Sequence, residues 1–241
     1  MMNRTKHTAG FTLVELAVVI VIIGLIIGAV IKGQELIDNA RLNSIVTQVD
    51  SFKSAVTGFR DKYGALPGDF SQAQARIPGC QAAGANCANG NGDGSVGTVV
   101  GANVAAQAEG RMAWQHLAFG NFITGVVPGA DAAAAVYNQN FPGARVGGGY
   151  VLVNSSIGTP ALQTLWLRLQ ATQGSAAPGN GSNEGALTPS QAAIIDRKID
   201  DGNPFTGTVR ATGVAANCNV AGGSYNETVS TKDCNLFFQM Q

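Results

Sequence analysis

Gly10–Ile31 reads GFTLVELAVVIVIIGLIIGAVI, and Glu15 is the one charged residue in it. An α-helix over the 21 residues from Phe11 to Ile31 would span roughly 31 Å, the thickness of a bilayer core. The stretch is therefore a candidate transmembrane helix. Arg4 and Lys6 precede it, which orients the N-terminus to the cytoplasm and the rest of the chain to the opposite side. A cleaved secretory signal would join such a basic leader to about 7–15 apolar residues and a small-residue cleavage site. Here the run is longer and passes without a break into a charged helical pattern, so the span is expected to be retained.

Glu15 is costly in this setting, on the order of 2.5–3.5 kcal/mol at the centre of a spanning helix and less near the interface. No Lys, Arg or His lies between residues 11 and 31. An opposite charge at that depth has to come from a chain terminus, another subunit or another protein. The other reading is a carboxyl near the headgroups or one that carries its proton.

Gly10-Phe11-Thr12-Leu13-Val14-Glu15-Leu16, with its basic leader and apolar continuation, resembles the class III signal of type IV prepilins and of type II secretion pseudopilins. The resemblance implies cleavage by a prepilin peptidase between Gly10 and Phe11 and N-methylation of Phe11. It also implies that Glu15 pairs with the N-terminal amine of a neighbouring subunit and so sets assembly register. A pair in low dielectric costs far less than a single charge, and losing either member leaves the other uncompensated.

Beyond Lys32, the residues Ile45, Val49, Phe52, Val56, Phe59 and Tyr63 follow one another at intervals of four, three, four, three and four. That is one apolar face of a helix, flanked by Arg41, Asp50, Lys53, Arg60, Asp61 and Lys62. The first proline is Pro67, so the pattern predicts one helix from Phe11 to Tyr63, roughly 80 Å long. Gly24 and Gly28 have the spacing that lets helices approach closely. Family members often carry a proline late in the apolar run; this chain has none there, and any local melting would fall to Gly24, Gly28 or Gly33.

GALPGD at 64–69 breaks the helix, and a Gly/Ala/Asn-rich stretch follows to about residue 104. Further expectations are a helix over about 105–120, strands at 122–127 and 150–154, a short helix at 160–172 with Leu162, Leu165, Trp166 and Leu169 on one side, a helix over 189–200 opened by Thr188-Pro189, and strands at 207–214 and 236–240. The expected organisation is a leader at 1–10, a long helix at 11–63 that spans the membrane over about 11–31, and a globular part at 64–241. The fold class is α+β and pilin-like: the long helix packed on a small antiparallel sheet with extended loops. ALPGDF, the segment around Glu109 and Trp114, and DRKIDDGNPFTGTVRA also resemble the globular part of a prepilin subfamily, more loosely than the N-terminus does.

The four cysteines, Cys80, Cys87, Cys218 and Cys234, read as two disulfides in an exported segment, with three connectivities open. Sequential pairing is the expectation, and the family resemblance supports Cys218–Cys234 in particular, since pilins commonly close a C-terminal loop this way. A zinc site is the alternative, but there is no CxxC and His116 is the sole histidine after the leader. Asn89, Asn91 and Asp93, with Gly94 sixth, imitate the first half of a calcium-binding EF-hand loop. The twelfth position is Val100 rather than Glu, so calcium would need a carboxylate from elsewhere, such as Asp69; a glycine-rich turn is the other reading.

The 15 basic and 15 acidic residues balance, and residues 63–241 are net −2 without a basic block, which disfavours a nucleic-acid partner without excluding DNA capture at a filament tip. There is no Walker loop, no Gly-x-Ser-x-Gly and no His-rich metal motif, so no enzyme is expected. The sequence reads as a structural subunit of a type IV pilus-like filament, with roles in adhesion, motility or DNA uptake. The alternatives are a type II secretion pseudopilin or a minor tip subunit that binds a surface or DNA. The resemblance implies as partners further copies and other pilins, the prepilin peptidase and an inner-membrane assembly platform. It also implies an inner-membrane single-pass precursor that moves to the pilus or a periplasmic filament.

Overall fold

The structure is a computed structural model and describes residues 13–97, 109–130, 136–171, 185–213, 217–220 and 222–240. The chain divides into two compact units, Met1–Arg41 and Leu42–Gln241. Helix α1, Leu13–Tyr63, runs through both. Its end is set by chemistry: Gly64 takes φ +73°, and its N–H donates to the Arg60 carbonyl at 2.8 Å. Only glycine adopts that conformation at little cost. Arg60 and Lys62 in the last turn complement the negative end of the helix dipole.

In the first unit the described residues of α1 expose their apolar side chains on every face, Leu13, Ile20, Leu25 and Ile31 among them. The helix is long and apolar enough to cross a membrane. Its polar stretch carries two exposed ion pairs at i, i+3 spacing, Lys32–Glu35 and Asp38–Arg41, each contributing a few tenths of a kcal/mol, roughly 0.2–0.5.

Within the second unit α1 buries Leu42, Ile45, Val49, Phe52, Val56, Phe59 and Tyr63, the stripe predicted from spacing together with Leu42. Short elements follow: α2 (Ala73–Arg76), α3 (Cys80–Ala83), a 3-10 turn (Gly84–Cys87) and α4 (Glu109–Phe119). Then come β1 (Gly149–Ile157), β2 (Leu162–Gln170), α5 (Pro189–Ile199), β3 (Val209–Gly213), β4 (Asn219–Val220), β5 (Ser224–Tyr225) and β6 (Cys234–Gln239). Four strands form one antiparallel sheet in the order β1-β2-β6-β3, and β4 and β5 form a two-stranded ribbon. Leu152, Leu165, Leu167, Leu169, Leu236 and Phe238 join the stripe of α1 in one core, while Val153, Ile157, Trp166 and Phe237 form a second cluster. The α+β class and a small antiparallel sheet are those expected, and the sheet has four strands.

Two local expectations fail. The apolar spacing over 160–172 predicts a helix, but Leu162–Gln170 is a strand with the i, i+2 set Leu165, Leu167 and Leu169 in the main core and Trp166 in the second cluster. A strand buried on both faces has no alternation to betray it, and its apolar residues satisfy helical spacing equally well. Pairing with β1 on one side and β6 on the other decides the outcome. Residues 122–127, read as a strand, form bends after α4, because Asn121 and Gly125 both take positive φ, +60° and +86°. Elsewhere β1 runs farther than 150–154, and α5 begins as expected, with a capping box between Thr188 and Gln191 and proline in its first turn.

Phe59 is fully buried among Tyr63, Phe70, His116 and Phe122. Phe59→Ala is expected to lower the free energy of unfolding by about 3–5 kcal/mol, measured by denaturant titration. Val19→Ala, on the exposed run, should move it by no more than about 0.5 kcal/mol.

Candidate functional site

The N-terminal segment is the first candidate. Gly10 and Phe11 lie outside the described residues, and Glu15 sits in the first turn of α1, where the positive end of the helix dipole favours a carboxylate. An added Cβ at Gly24 or Gly28 would meet nothing within 4 Å, so the one helix face they share at i, i+4 spacing is open to close approach.

The second candidate is the loop cluster between α1 and α4. Asp69 is 3 % exposed; its Oδ1 accepts the Asp93 N–H and its Oδ2 the Gly94 N–H, both at 2.9 Å. Glu109, at the start of α4, accepts the Asn91 N–H at 3.0 Å on Oε1 and the Gly97 N–H at 2.8 Å on Oε2. Asn91 and Asp93 each accept a backbone N–H two residues on. Asp69, Asp93 and Glu109 each bring one oxygen within 4.8 Å of the others, the set that could hold a divalent cation. The Asn89 Oδ1 accepts the Gln74 N–H at 2.9 Å. Glu109 escaped the sequence reading as a partner of this loop, because nothing in its local pattern announces which loop lies above a helix start. Backbones cross closely here: a Cβ on Gly90 would come within 2.2 Å of the Gly68 carbonyl oxygen, so that position admits only glycine.

His116 closes the same loops from beneath. Its Nδ1 accepts the Gly68 N–H at 3.0 Å, and Nε2–H donates to the Ala88 carbonyl at 2.9 Å. The ring stacks on Phe59 at 6.1 Å between centroids. Burial pushes its pKa down to about 4, because an imidazolium there would be desolvated, against the smaller upward pull of the bond to the Ala88 carbonyl. Cys80 and Cys87 lie beside it, but the two sulfurs are bonded to each other and offer no thiolate to zinc.

In the C-terminal part of the chain Cys218 is bonded to Cys234, tying the ribbon to the inner strand β6. Asp196 accepts from the Tyr225 hydroxyl at 2.7 Å and from the Gly202 N–H at 3.3 Å, and burial raises its pKa to about 6. Asp200 accepts the Val209 and Thr208 N–H groups; Asp201 accepts the Asn203 N–H at 2.8 Å and the Thr206 hydroxyl at 2.6 Å. The three aspartates of DRKIDD thus organise the turn from α5 into β3.

Residues 5–31 match the family model of the prokaryotic N-terminal methylation motif. The chain therefore carries the class III signal peptide of type IV prepilins and pseudopilins. No curated protein and no solved structure matches the chain. The motif and the long apolar helix together fit a membrane-anchored precursor.

The pH dependence of stability should separate His116 from Asp196. The folded pKa of His116 lies below its ordinary 6.5, so its contribution is fully present above pH 6.5 and is lost as pH falls toward 4. Asp196, raised from 3.8 to about 6, has the opposite sign, holding its proton more tightly when folded and gaining as pH falls through the same region. Referencing the wild type to His116→Phe cancels the aspartate. Their difference in unfolding free energy should fall by about 3 kcal/mol between pH 7 and 4, and a flat difference would refute a neutral buried imidazole.

Proposed function

We propose that the protein is a structural subunit of a type IV pilus-like filament, inserted in the inner membrane with its N-terminus in the cytoplasm. A prepilin peptidase cuts it between Gly10 and Phe11, Phe11 is N-methylated, and the chain polymerises through its N-terminal helix. The match of residues 5–31 to the methylation motif, continuous with a helix that exposes its apolar side chains all round from Leu13, carries this reading. Its partners are further copies and other pilins, the peptidase and an inner-membrane assembly platform. Affinity comes from apolar helix packing. Glu15 supplies register by pairing with the methylated N-terminal amine of a neighbour, a pair whose disruption leaves an uncompensated charge worth about 3–5 kcal/mol in low dielectric.

A second reading, a type II secretion pseudopilin, is favoured by the grouping of Asp69, Asp93 and Glu109, a set of oxygen donors suited to calcium. Mass spectrometry of sheared surface filaments and of membranes separates the two. Abundant chain beginning at methylated Phe11 in the sheared fraction is expected; the same chain confined to the envelope would favour the pseudopilin, and a chain still beginning at Met1 beside an active peptidase would refute both.

Glu15→Val should leave processing at Phe11 intact and reduce filament yield at least tenfold, scored by immunoblot of sheared and membrane fractions. Undiminished filaments would rule out the register role.

A further inference from the structure

The pattern Asn-x-Ser/Thr, the acceptor signature for N-linked glycan, occurs at Asn3, Asn154, Asn180 and Asn226. The fold sorts these. Asn3 precedes the apolar span, and Asn180 lies outside the described residues. Asn154 is held in the middle of β1, opposite Leu165; its N–H donates to the Val96 carbonyl at 3.0 Å, and its Oδ1 accepts the Val96 N–H at 3.2 Å. No transferase could bend that backbone around a catalytic centre without unpairing the strand.

Asn226-Glu227-Thr228 is different in each respect. It forms the first three positions of a surface turn closed by the Val229 N–H on the Asn226 carbonyl at 3.0 Å. Glu227 and Thr228 are exposed and Asn226 is partly so. The Thr228 hydroxyl donates to the Asn226 Oδ1 at 2.7 Å. That bond fixes the carboxamide with its oxygen toward the hydroxyl, which turns Nδ2 to the opposite side of Cγ. It also draws electron density to the oxygen, which makes the amide N–H more acidic. The turn is anchored on both sides, by the Asn226 N–H on the Cys218 carbonyl at 2.9 Å and by the Ser190 hydroxyl on the Glu227 carbonyl at 3.3 Å. The sequon is therefore presented already bent in the folded, disulfide-closed domain.

We propose that Asn226 is an acceptor site for an N-linked glycan, added on the far side of the membrane from a polyisoprenyl-diphosphate oligosaccharide by an oligosaccharyltransferase. The proposal rests on the reading that residues beyond the span are exported. In the transfer the C1–O bond of the donor breaks, the C1–Nδ2 bond forms, one amide proton passes to the transferase's base, and the lipid diphosphate leaves. No electron transfer is involved. The Thr228 hydroxyl is the recognition element that separates this sequon from a bare asparagine, so serine should replace it and alanine should not.

The test is peptide mass spectrometry on full-length protein from its native envelope, reduced and digested with trypsin. The 211–232 peptide is expected to carry a glycan mass that fragmentation places on Asn226, to lose it in Asn226→Gln and Thr228→Ala, and to keep it in Thr228→Ser. Unmodified Asn226 in the wild-type chain overturns the proposal, as does a glycan mass that persists in Thr228→Ala or maps to a Ser or Thr. The N-terminal peptide of the same digest reports independently whether the chain begins at Phe11, so failure of the glycan site and failure of the prepilin reading give different spectra.

Discussion

The Phe52, Phe59 and Tyr63 rings leave α1 at helical spacing and meet aromatic partners delivered by several other parts of the chain. Phe52 lies edge-on to Trp114 of α4 and Tyr150 of β1, each at 5.1 Å. Phe59 and Tyr63 gather Phe70 and Phe122 from the loops on either side. Burying each such ring contributes on the order of 1.5–3 kcal/mol. Without this stripe neither α4 nor the sheet has a continuous apolar surface to rest on, since the sheet's inner leucines belong to the same core. The last strand, β6, must enter between β2 and β3. Completion of the sheet therefore waits for the C-terminus, and Cys234 at its start fastens it to Cys218.

One helix thus serves two environments. Up to Ile37 its large apolar side chains are about half exposed or more, and from Leu42 onward a single face is buried. A helix apolar all round is a span or a packed bundle member, and one with a stripe is the edge of a domain. Both patterns were plain in the sequence because each depends only on which residue types recur at 3.6-residue spacing. The signal at residues 5–31 was equally legible, as it consists of residue types in a fixed order along the chain and owes nothing to tertiary structure.

What could not be read was whatever depends on distant pairing. Leu165, Trp166 and Leu169 fit a helix as well as a strand, and only the neighbours β1 and β6 settle which. His116 and Glu109 are seven residues apart on α4, a spacing that fits a surface pair as well as a packed histidine. In the fold they separate, the histidine buried under Gly68 and Ala88 and the glutamate gathering the amides of Asn91 and Gly97. Backbone amides have no sequence signature, so the partners of such side chains are invisible until the loops are placed.

The acidic residues illustrate how a loop-rich domain with few charges holds itself together. Asp69, Glu109, Asp200 and Asp201 each accept two hydrogen bonds, all but one from backbone N–H groups. A hydrogen bond to a charged group contributes about 1.5–3 kcal/mol, comparable with one buried side chain, and it acts where Gly- and Asn-rich sequence offers few apolar side chains to bury, Val96 being one. It also constrains any cation at Asp69, Asp93 and Glu109. The carboxylate oxygens retain second lone pairs for a metal, but their first are committed to amides of residues 91–97. A bound ion would therefore tighten a loop already closed by these bonds, and the amide contacts hold the donors near one another before it arrives.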